Sequence, residues 1–349
     1  MSNKTIENKN KEIFTYISFL TVISAIAVII LHGSIYRFDG ANPSNYWFIS
    51  NFIMCFFFFA VPIFYMISGA TLINYSERYD TKVYFLKRAK KVLIPFIFWL
   101  IFFALFRIYF MHIPVNENIL LFLYNDGING NLYWFFIPLF AIYLVIPLLN
   151  SIPKNKRIGL FTFYSVLIFI FFSILPALIN VFTIPIVIRQ EFFFISGFFI
   201  YPLLGYILNE IDLSKKYRII FYALGILGFL GMFVPTQLFY DATGQSTYLF
   251  KSYTYPTTVL YSIAVWIFIK EICKYDFTKK FNKIVDFIKP YTFGLYLIHY
   301  YLFISITYYL KLNNQSFLYS IASPIIVFAL SMIILIILKK IPYVRNIVP

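Results

Sequence analysis

Ten long apolar runs constrain this chain more than any other feature. They are Ile13–Tyr36, Trp47–Ile73, Val92–Ile113, Leu132–Leu149, Ile158–Ile179, Phe192–Leu208, Ile219–Leu238, Thr254–Ile269, Tyr291–Leu310 and Phe317–Leu338, and Arg107 alone of the Asp, Glu, Lys and Arg residues falls inside them. A bilayer core takes about 20 apolar residues per helix, so each run has the length to cross or nearly so. The eighth is the shortest and ends at Lys270 and Glu271. Proline within or beside runs (Pro62, Pro95, Pro138, Pro176, Pro324) is compatible with membrane helices, where neighbours and local distortions satisfy the freed carbonyls. The expected fold is all-α, a polytopic integral membrane protein of about ten transmembrane helices. Composition agrees: 61% of residues are hydrophobic and 12% charged, and soluble domains carry roughly twice that charge. A soluble enzyme, a disulfide scaffold and a disordered chain are excluded.

The placement of positive charge gives the orientation. Of the 29 Lys and Arg residues, Arg37, Arg189, Lys251 and Lys311 fall in loops on one side of a ten-span chain, Arg107 falls within the third span, and the other 24 fall on the opposite side. Cytoplasmic loops are enriched in Lys and Arg, so both termini are expected in the cytoplasm of a multi-pass cell-membrane protein. One span added or omitted near the middle would destroy this split. The net charge of +15 is thus topological and does not indicate nucleic-acid binding. The polar start, MSNKTIENKNKE, followed by an apolar run longer than a signal-peptide core, reads as a retained anchor. The longest loops, Asn74–Lys91 and Lys270–Pro290, are too short to fold alone. The expectation is one membrane domain over residues 1–349, with cytoplasmic tails 1–12 and 339–349.

Ionisable residues within spans are functional candidates, because lipid does not solvate them. All 14 acidic residues lie in loops or at span ends, which weakens a reading as an ion-coupled transporter. What remains is His32 near the outer end of span one, Arg107 and His112 towards the outer end of span three, and His299 in span nine. A neutral imidazole in a low-dielectric pocket can take a proton from a hydroxyl; the alternative for His32 is an interfacial helix end. Arg107 either snorkels outward or holds an anionic group of a substrate. Lys87, Arg88, Lys90 and Lys91 stand at the cytoplasmic mouth of span three, where they either anchor the span or grip the phosphates of a cytoplasmic donor. Cys55 and Cys273 have no metal-ligand spacing, and no metal site is expected.

Several stretches, in order, resemble the acyltransferase-3 family of membrane acyltransferases, which includes surface-polysaccharide O-acetyltransferases. They are ISAIAVIILHGS with His32, VPIFYMISGATL, FLKRAKKVLIPFIFW, LYWFFIPLFAIYLVIPLLN, ISGFFIYPLLGYIL, YTFGLYLIHYYLF with His299, and KKIPYVRNI near the end. Two positions depart from the family pattern. Thr21 stands where an arginine usually precedes the first histidine by eleven residues, and Leu132 and Tyr133 precede Trp134–Phe135 where a histidine often does. The first departure leaves open how His32 is oriented.

The resemblance implies transfer of an acyl group, most often acetyl, from cytoplasmic acyl-CoA to a hydroxyl or amine of a cell-envelope glycan or its lipid-linked precursor, with no tightly bound cofactor. The residues supply parts for such a reaction: His32 would act as general base, His299 would assist or orient, Arg88, Lys90 and Lys91 would bind the CoA phosphates, and Arg107, Tyr133 and Trp134 would stand on the acceptor side. A transporter or flippase for a lipid-linked sugar is the alternative. By helical rise His32 lies about 28 Å and His299 about 13 Å from the starts of their spans. The two histidines are therefore expected at different depths, without direct contact.

Overall fold

The apolar runs are helical in the computed structural model, which describes residues 3–38, 46–112, 118–129, 133–182, 196–314 and 316–348. Among the described residues there is no strand. The first run is helix α1 (Asn3–Phe38), and the second bends into α2 (Trp47–Phe57) and α3 (Ala60–Leu72). The third holds α5 (Ile94–Leu105), preceded by α4 (Thr81–Arg88) and followed by a short α6 (Ile119–Phe122). Then come α7 (Phe136–Ser151), α8 (Lys154–Ile168), α9 (Leu175–Val181) and α10 (Ile200–Glu210). The rest is α11 (Lys215–Thr243), α12 (Pro256–Ile272), the short α13 (Asp276–Lys279) and α14 (Asn282–Ile288), α15 (Thr292–Tyr309) and α16 (Phe317–Lys340). The expected span starts Leu132 and Phe192, and Arg189 of the outer charge count, lie outside the described residues.

Among the described residues, six continuous helical stretches are long and apolar enough to cross a membrane: Thr15–Ile35, Trp47–Leu72, Thr81–Phe110, Lys154–Val181, Lys215–Thr243 and Phe317–Lys340. The chain is an all-helical membrane protein. The expected spans that fall short of this standard lie on α7, α10, α12 and α15, which are shorter or more polar.

Two of the long stretches are interrupted by π-helical turns at Ala89–Leu93 and Phe169–Ile174. Each is followed at once by a helix with proline in its first turn, Pro95 in α5 and Pro176 in α9. A proline removes one backbone donor and its ring collides with the carbonyl four residues back, so the turn before it widens. The apolar pattern continues through the interruption, which is why the sequence reads as one span.

Helix α1 is the centre of the bundle, packed on α2, α3, α12, α14, α15 and α16. Its span is 67% buried, whereas Lys154–Val181 is 17% buried and turns most of its side chains to the lipid. Helices α3 and α10 meet backbone to backbone. A Cβ on Gly69 would stand 1.9 Å from the carbonyl oxygen of Pro202, and one on Gly205 would stand 1.9 Å from that of Met66. Gly33 plays the same part between α1 and α16, where a Cβ would meet Pro324 Cγ at 2.5 Å.

Basic residues of the larger charge set gather at one end of the bundle. Buried Arg157 donates to the carbonyls of Ile152 and Asn150 and to Asn74 Oδ1, binding the end of α3 to the α7–α8 turn. Lys154 pairs with Glu77 at 2.7 Å. Lys270 donates to the carbonyls of Leu208 and Ile211, and Lys289 Nζ to Ser18 Oγ at 2.8 Å. The end of the chain is also fastened: Trp99 Nε1 donates to the carbonyl of Ile347 at 2.8 Å, and Val348 is fully buried.

Candidate active site

A cavity of about 340 Å³ opens where α1, α2, α3, the start of α7 and the segment before α12 meet. His32 is on its wall, with Val28, Met54, Trp134, Lys251 and Tyr253 among its neighbours there. Gly33 lets α1 close on α16 beside Pro324, directly after the histidine.

His299 approaches His32 from α15. The two ring centres are 4.9 Å apart with the planes at 58°, and the edge of Tyr300 meets His32 at 5.9 Å. This corrects the expectation of different depths. That expectation measured both spans from a common level, but α15 starts deeper in the bundle than α1. Lys289, just before α15, reaches Ser18, which is already several residues into the first span. From Ser18 to His32 is about 21 Å of helix, and from Lys289 to His299 about 15 Å, to which the extended lysine side chain is added. His299 is fully buried, with Nδ1 2.9 Å from the carbonyl oxygen of Leu295.

The cavity wall opposite α1 is aromatic. Tyr253 lies between Phe58 (ring centres 4.2 Å, planes 6°) and Trp134 (5.2 Å, 24°). The backbone here is not helical, a conformation tolerated at membrane depth where it lines a cavity and its polar groups are satisfied. Tyr201 donates to the Tyr253 carbonyl, and Thr258 Oγ1 to that of Ser252 at 2.7 Å. Lys251, read from sequence only as an outer-loop charge, is 3% exposed. Its Nζ is 3.3 Å from Asn51 Oδ1 and 3.6 Å from the centre of the Phe38 ring. Sequence reasoning missed Lys251, Tyr248 and Tyr253 as site residues. The available signal was the stretch YLFKSYTY, too aromatic for a solvated loop.

The other sequence-derived candidates are dispersed. Trp134 lines the cavity, whereas Tyr133 is buried away from it, sharing a 2.6 Å hydrogen bond with Tyr301, and the two hydroxyls lie 3.3 and 3.0 Å from the Trp99 carbonyl oxygen, which accepts from whichever of them does not donate to the other. Arg107 is half-buried, its guanidinium 5.8 Å from the Phe103 ring, and is not on the cavity wall. Lys90 and Lys91 are exposed, but half-buried Arg88 turns inward, 5.6 Å from the Tyr143 ring centre. The π turn at Ala89–Leu93 breaks the α-helical spacing that would put Lys91 on one face with Lys87 and Arg88. His112 is exposed at φ 54°, beyond the end of the third helical stretch. Thr21 bonds back to the Ile17 carbonyl at 2.7 Å and so contributes nothing to orienting His32. Among the described residues there is no His, Cys, Asp and Glu grouping able to hold a metal.

A family model described as an acyltransferase domain matches residues 14–339. The chain belongs to the acyltransferase-3 family. In this membrane acyltransferase the match takes in both histidines, the basic cluster and the whole cavity wall. No curated protein and no solved structure matches the chain.

Proposed function

We propose that this acyltransferase moves a short acyl group, acetyl in the first instance, from acyl-CoA to a hydroxyl or amine of an envelope glycan or its lipid-linked precursor. The observation that carries the reading is His32 on the wall of a cavity lined mostly by aromatic and apolar side chains, with Lys251 and Ser252 as its other polar residues besides tyrosines. In this reading the chain crosses the cell membrane ten times with both termini in the cytoplasm, as the positive-inside rule favours. Lys90 and Lys91 then meet the CoA phosphates at the cytoplasmic mouth, with Arg88 behind them. From Arg88 to Trp99, whose indole is 5.7 Å from Tyr301, is about 16 Å of helix. The thioester therefore travels up the bundle to reach the histidine.

At the cavity the neutral imidazole of His32 takes the proton of the acceptor hydroxyl as its oxygen bonds to the thioester carbonyl carbon. The tetrahedral adduct collapses, the carbon–sulfur bond breaks, and the imidazolium returns the proton to the CoA thiolate. Trp134 and Tyr253 present faces against which a sugar ring can lie. A cavity of about 340 Å³ is at the small end of ligand sites, which favours one sugar ring and a short acyl chain. The test is release of free CoA thiol by purified protein given acetyl-CoA and membrane glycan extract, with compositional analysis of the glycan from cells with and without the protein. Acetyl-CoA consumption and a matching acyl substituent are expected. Unconsumed acetyl-CoA with an unchanged acyl content would overturn the reading in favour of transport.

A further inference from the structure

Lys251 puts a positive charge into the wall that His32 shares, and proton transfer to and from the imidazole gives it no task. It is 3% exposed, so it does not snorkel to the membrane surface, and an ionisable group at such a place is a functional candidate. The fold holds it there. Asn51 Nδ2 donates to the Phe233 carbonyl at 3.1 Å and to Gln237 Oε1 at 3.4 Å, which turns Asn51 Oδ1 towards Lys251 Nζ at 3.3 Å. The rings of Phe38 and Tyr248 have their centres 3.6 and 5.6 Å from the ammonium. The Lys251 backbone N–H closes a turn on the Tyr248 carbonyl at 2.9 Å.

The same contacts give the depth of the charge. Phe38 lies six residues beyond His32 on α1, about 9 Å further along the axis. Asn51 stands one turn before Met54, a wall residue of α2. The ammonium is therefore displaced from the imidazole towards the loop joining α1 to α2. One oxygen hydrogen-bonded to both would bring them within about 6 Å, two bond lengths. Lys251 thus meets a different group from the oxygen that His32 deprotonates.

We propose that Lys251 is a specificity-determining residue: its ammonium binds an anionic group, carboxylate or phosphate, carried by the acceptor. The acylated hydroxyl then belongs to an acidic glycan or to the sugar of a phosphate-linked precursor. The inference rests on the acyl-transfer reading and deepens it by naming the acceptor class. An ammonium carries three donors, so it can hold an anion while keeping Asn51. In a wall of low polarity a charge-assisted bond is stronger than in water. Trp134 and Tyr253 offer faces to any sugar ring; the charge on Lys251 selects among rings and sets which hydroxyl arrives at His32.

The first test isolates the acylated fragment that is present in wild-type cells and missing without the protein, from both the glycan and the lipid-linked fractions. Anion exchange should retain it. Phosphatase after mild acid removes the charge where the anion is a phosphate and leaves it where the anion is a carboxylate. An uncharged fragment would overturn the inference. The second test measures acceptor kcat/KM, KM for acetyl-CoA and Tm of wild type and Lys251→Met, which keeps the apolar stem without the charge. Each is given the native acceptor and the same acceptor made neutral by phosphatase or by carboxyl reduction. On the native acceptor Lys251→Met should lose about 10- to 100-fold in kcat/KM, the range of one hydrogen bond to a charged group, with KM for acetyl-CoA unchanged. Neutralising the acceptor should cost wild type a similar factor and the variant nothing further. The same loss on both acceptors, or no loss on either, would overturn the inference. Where the Met protein fails to fold, as Tm reports, Lys251→Gln serves with the same expected pattern. A wild-type protein that transfers no acyl group refutes the parent reading instead, an outcome visible before any variant is made.

Discussion

The indole N–H of Trp99 donates to the carbonyl oxygen of Ile347 across 2.8 Å, fastening the end of the chain to the middle of α5. The same residue's carbonyl oxygen lies 3.3 Å from the Tyr133 hydroxyl and 3.0 Å from the Tyr301 hydroxyl, so the tail, the third span and α15 meet at one residue. Trp99→Phe keeps an aromatic ring but removes the pyrrole half with its hydrogen bond, and should lower stability by about 1 kcal/mol for the bond and further for the packing lost at a buried site. Deleting residues 344–349 removes buried Val348 as well and should lower the Tm of the detergent-purified protein further. An unchanged Tm for the deletion would show that the tail is not part of the fold.

Gly69 and Gly205 place α3 and α10 in backbone contact, and a methyl at either position lies 1.9 Å from a carbonyl of the other helix. Backbone cannot yield as a flexible side chain does, so either alanine must separate the helices. Overpacking typically costs about 1–3 kcal/mol and a backbone clash belongs at the upper end. Because one separation relieves both clashes, Gly69→Ala with Gly205→Ala should cost clearly less than the sum of the two. Thermal unfolding of the three variants checks this; simple additivity would contradict the shared contact.

Much of this arrangement is legible in sequence and some of it is not. The apolar runs became helices because period and length are properties of each segment alone, and the placement of Lys154, Arg157 and Lys270 at one end follows from the same counting. The contact of His32 with His299 depends on the relative depth of α1 and α15, which the Lys289–Ser18 bond records and no run of residues states. Lys251 escaped notice because a loop lysine is ordinarily solvated, and only the packing of Phe38, Asn51 and Tyr248 around it makes it a cavity residue. Arg88 parted from Lys91 because Pro95 widens the turn between them, an effect of one ring on a neighbouring carbonyl rather than of helical spacing.

Orientation is checked by single cysteines. Asn155, in the first turn of α8, and Asn313, beyond α15, are both exposed and lie on opposite sides of the proposed ten-span topology. A membrane-impermeant thiol reagent on intact cells should label Asn313→Cys and spare Asn155→Cys until the membrane is opened. The reverse pattern would invert the protein, and labelling of both would break the span count.

The exposed pair Lys90 and Lys91 separates donor binding from topology. Replacing both with Gln should raise KM for acyl-CoA several-fold, with kcat little changed, if they meet its phosphates. The difference from wild type should shrink as ionic strength rises, since the Debye length falls from about 10 Å at 0.1 M to about 3 Å at 1 M. Arg88→Gln should act differently, lowering Tm through loss of its packing on Tyr143. An unchanged KM in the double variant would leave the two lysines as membrane anchors.

His32→Gln tests the centre of the proposed chemistry. Gln keeps polarity and approximate size at the cavity wall but takes up no proton near neutral pH. A general base contributes about 10²- to 10⁴-fold to rate, so kcat should fall by that amount while KM for acyl-CoA, set largely at the far end of the bundle, stays close to wild type. Tm should move little, because Gln fills most of the space of the imidazole against the His299 and Tyr300 rings. The two quantities together decide between roles. Lost turnover with a normal Tm assigns His32 to the reaction, whereas a lowered Tm with turnover per folded molecule within a few-fold of wild type makes it a packing residue between α1 and α15.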